Sequence, residues 1–223
     1  MQRKMKRTFI TLLLAAVICV TEAYCQTDGY KRVTWGVKAS VDVELPGKWK
    51  GDDISLTMYR PGYGFTAGGV CNINLGGNVY LEPGLSLFYE DYSFKDLIIS
   101  NESGDYVQKD PGLYKLGVRV PLVVGSVFPI NERVGFSIFT GPVLSYAFAG
   151  KIDVDSDVDN DLDDLDLFRG QRRFDCAWKI GVGCPVDNFM VSLEAEFGIT
   201  DLLKAKDLSF RENRVSLGLT YYF

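Results

Sequence analysis

The sequence predicts an all-β fold: an eight-stranded antiparallel up-and-down transmembrane β-barrel. Three observations carry this. Apolar and polar residues alternate with a period of two through eight separate stretches, as extended strands require. The connections between those stretches alternate long and short. Charges within the stretches fall opposite the bulky apolar side chains, the reverse of a soluble barrel.

The final stretch shows the pattern most cleanly. From Arg214 to Phe223, Val215, Leu217, Leu219, Tyr221 and Phe223 share one face, while Arg214, Ser216, Gly218, Thr220 and Tyr222 share the other. Composition agrees, with 12 Tyr, 14 Phe and 23 Gly suiting strands and tight turns.

The N-terminal residues 1–25 read as a secretory signal peptide: Arg3, Lys4, Lys6 and Arg7 precede a mostly apolar run from Phe9 to Val20. Residues 26–223 are then the barrel domain. The leader removes four of the 24 basic residues and one of the 29 acidic, leaving a net charge of about −8, which disfavours nucleic acid as a partner. Cys71, Cys176 and Cys184 remain, without metal-type spacing. Cys176 and Cys184 lie too far apart along one strand to bridge, and all three read as small outward side chains.

The first strand is expected over Val33–Val43, with Trp35, Val37, Ala39, Val41 and Val43 outward. A polar connection to Arg60 follows. The second spans Gly62–Asn74 and ends in the hairpin turn Leu75–Asn78. The third, Val79–Phe94, contains Pro83, which predicts a bulge. Lys95–Gly112 reads as a long loop. The fourth strand, Leu113–Val127, sets Tyr114, Leu116, Val118, Val120, Leu122 and Val124 against Lys115, Gly117 and Arg119.

A turn at Phe128–Glu132 leads to the fifth strand, Arg133–Ala149, and then to an acidic loop ending near Arg172. The sixth, Arg173–Cys184, turns at Pro185–Asn188 into the seventh, Phe189–Ile199, where Ser192, Glu194 and Glu196 oppose apolar residues. Thr200–Glu212 connects to the last. Long connections outside and short turns in the periplasm, with both termini periplasmic, are the arrangement of a bacterial outer-membrane barrel. The partners expected are therefore outer-membrane lipid and the barrel-assembly machinery, with Phe223 resembling the aromatic C-terminal signal that the machinery reads.

Several segments resemble the PorT-like outer-membrane β-barrel family: Tyr114–Gly125 (YKLGVRVPLVVG), Gly141–Lys151, Phe174–Gly183, Phe197–Leu203 and the closing strand. The resemblance covers nearly the whole chain after the leader. It implies an outer-membrane location and an eight-stranded barrel, and carries over no catalytic residue.

The chain has no histidine, which removes Ser-His catalysis and histidine metal sites. Glu194 and Glu196 could form a carboxylate pair; ion pairing to Lys179 or Arg214 is the reading preferred. In the acidic loop, Asp155, Asp157, Asp159, Asp161 and Asp166 match liganding positions of a calcium loop. The same alternation equally describes a solvated acidic segment. No other cofactor is expected. The function expected is structural, binding or assembly-related, exercised through extracellular loops whose protein or small-molecule ligand the sequence does not name. The alternatives are an outer-membrane enzyme, a narrow ion-conducting pore, or a soluble periplasmic lipocalin-like barrel.

Overall fold

A computed structural model describes residues 32–50, 55–93, 97–101, 104–108, 112–131, 133–153, 165–205 and 208–223. Residues 1–25, read from the sequence as a signal peptide, lie outside the described residues.

In chain order the strands are β1 (Val33–Pro46), β2 (Trp49–Lys50), β3 (Ser55–Leu56), β4 (Gly62–Gly76), β5 (Val79–Ser93), β6 (Leu97–Asn101), β7 (Gly104–Gln108), β8 (Gly112–Pro129), β9 (Gly135–Asp153), β10 (Leu165–Asp166), β11 (Phe174–Val186), β12 (Phe189–Gly198) and β13 (Glu212–Tyr222). Eight of them, β1, β4, β5, β8, β9, β11, β12 and β13, form one antiparallel wall in that order. The wall closes on itself through the β1–β13 pairing, where Val41 faces Leu217 and Val43 faces Val215. Closure leaves no edge strand, and in lipid every backbone donor and acceptor must find a partner inside the protein.

The short turns are built for hairpins. Gly76 and Gly77 take φ of 116° and 60°, and Asp187 takes 50°. These values give the left-handed turns that match strand twist.

Alternation decides which side chains face lipid. Trp35, Tyr63, Leu85 and Leu217 are each more than half exposed, at 56%, 69%, 61% and 59%. On the other face, Asp42, Glu44, Glu90, Arg119, Glu194 and Arg214 are buried. This apolar-out, charged-in polarity excludes the lipocalin-like alternative, whose faces are reversed.

Four expectations are corrected. Strands extend beyond their expected ends, taking in Glu44 on β1 and Glu212 on β13. Cys71 shares the register of outward Trp35 yet is only 8% exposed, because neighbouring side chains cover so small a residue. Pro83 causes no bulge: the β5–β8 register is unchanged across it, and β4–β5 loses pairs there without shifting. The loop expected at Lys95–Gly112 contains the β6–β7 hairpin, in which Ile99 faces Tyr106 in register.

Candidate functional site

The barrel interior is layered. At its middle lies a girdle of paired charges from β1, β5, β8, β11, β12 and β13, to which β4 adds the Thr66 hydroxyl. Arg214 on β13 is its hub. Its Nε donates to Glu44 Oε1, its Nη2 to Glu90 Oε1 and its Nη1 to Glu196 Oε2, each at 2.5 Å. A planar guanidinium can reach three carboxylates at once, which an ammonium cannot do with the same geometry.

Arg119 continues the girdle by donating to Glu90 and, at 2.7 Å, to Thr66 Oγ1. Thr66 in turn donates to Asp42 at 2.5 Å. Across the lumen, Lys179 Nζ donates to Glu194 Oε2 at 2.5 Å and lies 3.1 Å from Glu196 Oε1, while Lys38 pairs with the other oxygen of Glu194. The preferred sequence reading of Glu194 and Glu196 is thus what the structure contains: both carboxylates are engaged by cations. Charges taken this far from water are tolerated only when paired and hydrogen-bonded.

Above the girdle, at the end carrying the long connections, lies an apolar cap. Tyr59, Leu167, Phe168, Leu202, Leu203 and Phe210 come from those connections and pack on Phe88, Tyr92, Leu113 and Ala147 of the wall. Tyr59 and Tyr92 meet edge to face with ring centres 5.4 Å apart. Backbone bonds tie the connections together: Arg172 N donates to Leu202 O at 2.8 Å, and Leu202 N to Phe210 O at 2.9 Å.

Gln171 Nε2 donates to the Tyr59 hydroxyl at 3.0 Å. Burial, aided by the nearby Glu212 carboxylate, holds the Tyr59 phenol above its ordinary range, so it stays neutral. Tyr92 joins the two layers by donating to Glu212 Oε1 at 2.6 Å, and Lys115 pairs with the same oxygen.

Near the short turns a smaller cluster of Tyr80, Val123 and Phe139 fills the lumen, with Tyr80 and Ser137 hydroxyls 2.9 Å apart. Tyr222 donates to Glu82 beside it at 2.6 Å. Beside these polar contacts, inward positions on β8 and β9 carry the buried Val123, Phe139 and Val143.

Between girdle and lower cluster sits a cavity of about 40 Å³, room for a few water molecules. Lys38, Asp42, Arg119, Lys179, Glu194 and Glu196 form its polar wall.

Of the expected calcium ligands, Asp155, Asp157, Asp159 and Asp161 lie outside the described residues. Asp166 is placed by its backbone, opposite Lys151 in the β10–β9 pair. Among the described residues no group of His, Cys, Asp and Glu is arranged to hold a metal ion. Cys71, Cys176 and Cys184 are free thiols. Sequence reasoning missed Glu44, Glu90 and Glu212 as girdle members; inward parity on β5 was the available signal for Glu90.

This is a bacterial outer-membrane β-barrel by fold and polarity. Residues 24–204 match the family described as outer membrane protein beta-barrel domain, and the chain belongs to that family. No curated protein matches the sequence. Among solved structures, Neisserial surface protein A is similar at 13% identity, covering 86% of this chain and 100% of its own, with a TM-score of 0.46. OprG from Pseudomonas aeruginosa is 11% identical over 87% of this chain and 98% of its own, TM-score 0.44. Ail of Yersinia pestis is 14% identical over 86% and 100%, TM-score 0.40.

Proposed function

We propose that this protein is a sealed, non-catalytic outer-membrane barrel that serves as a binding or assembly platform through its long connections. Both termini and the short turns would face the periplasm, and the long connections the cell exterior. The observation that carries the reading is the apolar cap. Described segments of three long connections fold into one mouth of the barrel and pack there, so this end carries a stopper. A barrel meant to conduct has no use for a stopper above and a second apolar cluster below.

The charged girdle supports the same reading. Its carboxylates are committed to Lys38, Lys115, Arg119, Lys179 and Arg214, which leaves them poorly placed for acid–base work. The resemblance to PorT-like proteins supports the outer-membrane location within this reading, with outer-membrane lipid and the barrel-assembly machinery as partners.

The test is single-channel recording on refolded protein in planar bilayers. The proposal expects no discrete conductance steps from the wild type. Phe139→Ala and Phe210→Ala together, which open both stoppers, should produce steps. Regular steps from the wild type would overturn the sealed barrel in favour of a narrow pore.

A further inference from the structure

Exposed charge is divided unequally between the two ends of the barrel. Among the described residues, the short-turn end exposes Arg32, Arg133 and Asp187. The end carrying the long connections exposes Lys48, Lys50, Arg169, Arg172, Lys204 and Arg211. None of these is ion-paired to a described carboxylate; the ion pairs all belong to the girdle and to the Lys115–Glu212 contact above it.

Arg169, Arg172 and Lys204 are gathered by one small bridge. Gln171 faces Leu203, and on either side of that pair Arg172 N donates to Leu202 O at 2.8 Å and Lys204 N to Gly170 O at 3.1 Å. Neighbours of a facing pair leave the bridge on its opposite side. Arg172 and Lys204 therefore project together, while Gln171 and Leu203 are buried in the cap. Arg169 is exposed at the end of the 3-10 turn Leu167–Arg169, and Lys204 Nζ donates to the carbonyl of Phe168 in that turn at 2.5 Å. Asp201, in the same segment as Lys204, is committed elsewhere: its Oδ1 accepts from the amides of Leu203 and Phe210 at 3.1 and 3.0 Å.

The depth of this cluster selects its partner. The Arg173 guanidinium lies over the buried Phe168 ring, 4.3 Å from its centre, on the cap side. Arg172 is then on the other side, with Phe174, which is 50% exposed on the lipid-facing wall. Two residues of extended chain separate them by about 7 Å. On β9 the exposed Phe148 reaches the same level, since its carbonyl accepts from Arg173 Nη1 at 2.7 Å. An outward aromatic followed one step later by an outward cation is the order of groups at a membrane–water boundary.

We infer that Arg169, Arg172 and Lys204 form a binding site for the phosphate of an anionic lipid in the leaflet that surrounds the long connections. A planar guanidinium pairs with two phosphate oxygens at once, and an ammonium adds a point charge beside it. The acyl chains then lie along the outward faces of β9 and β11, against Phe148 and Phe174. A phosphate held at this depth belongs to lipid, because the ring one strand step below it is already on the hydrocarbon side. The inference rests on the platform reading only in naming that leaflet the outer one.

The experiment is native mass spectrometry of the full barrel released from detergent micelles and titrated with dioleoyl phosphatidic acid. Dioleoylglycerol supplies the same chains without the phosphate, and glycerol 3-phosphate the same headgroup without the chains. The wild type should retain phosphatidic acid at concentrations where neither of the others stays bound. Arg169→Gln combined with Arg172→Gln should weaken that retention by about thirtyfold. Lys48→Gln combined with Lys50→Gln removes equal charge from another sector of the same rim and should weaken it by less than about threefold. Heat-modifiable mobility reports the folded barrel in each variant. Equal losses in the two variants would overturn the site in favour of diffuse attraction. Dioleoylglycerol retained as well as phosphatidic acid would overturn phosphate recognition, and glycerol 3-phosphate bound as tightly as the lipid would replace the lipid by a soluble anion. Binding in detergent is blind to which way the barrel points, so these results stand apart from the orientation of the long connections and from whether the barrel conducts.

Discussion

The girdle and the cap are both buried inside the same barrel, yet they are held by opposite physics. Phe210 and Arg214 are four residues apart along the chain, at 1% and 7% exposure. Phe210 is secured by the rings and aliphatic groups around it, a contact that depends on volume and not on direction. Arg214 is secured by three carboxylates from three other strands, each bond directional and each charge dependent on it. The difference teaches that this interior uses charge to fix the register of strands and apolar packing to fix the connections. A misregistered strand would strand a carboxylate away from its cation, whereas a shifted loop only repacks.

The same substituent placed in each layer sharpens this contrast. Arg214→Met leaves Glu44, Glu90 and Glu196 without their shared cation and should destabilise the barrel by ~3–5 kcal/mol. Phe210→Met keeps most of the apolar volume and should cost less than about 1.5 kcal/mol. Both are read from urea unfolding in detergent, followed by tryptophan fluorescence and heat-modifiable mobility. Equal losses would mean that the girdle's charges carry no special weight.

Much of the wall and part of the girdle were legible in the sequence. A period of two assigns a face to every residue once one face is known, so Lys38, Arg119, Lys179, Glu194, Glu196 and Arg214 could be placed inside without coordinates. Loop rhythm set the membrane polarity. Glu44 and Glu212 escaped because strand ends are fixed by pairing with neighbours: Glu44 faces Arg214 only in the β1–β13 register. The cap was not legible at all. Tyr59, Phe168, Leu203 and Phe210 lie in aperiodic segments, and their convergence depends on backbone bonds between connections distant in sequence, such as the bridge of Gln171 to Leu203.

The orientation of the two ends bears most directly on the platform reading. Ala205 lies exposed in the connection before β13, and Ile130 is 70% exposed at the short turn after β8. In a background with Cys71, Cys176 and Cys184 replaced by alanine, a single cysteine is introduced at one position or the other. Intact cells are then treated with a membrane-impermeant maleimide. The account expects Ala205→Cys to label on intact cells, and Ile130→Cys to label only after the outer membrane is breached. Labelling of Ile130→Cys on intact cells, with Ala205→Cys protected, would contradict it by turning the capped end toward the periplasm.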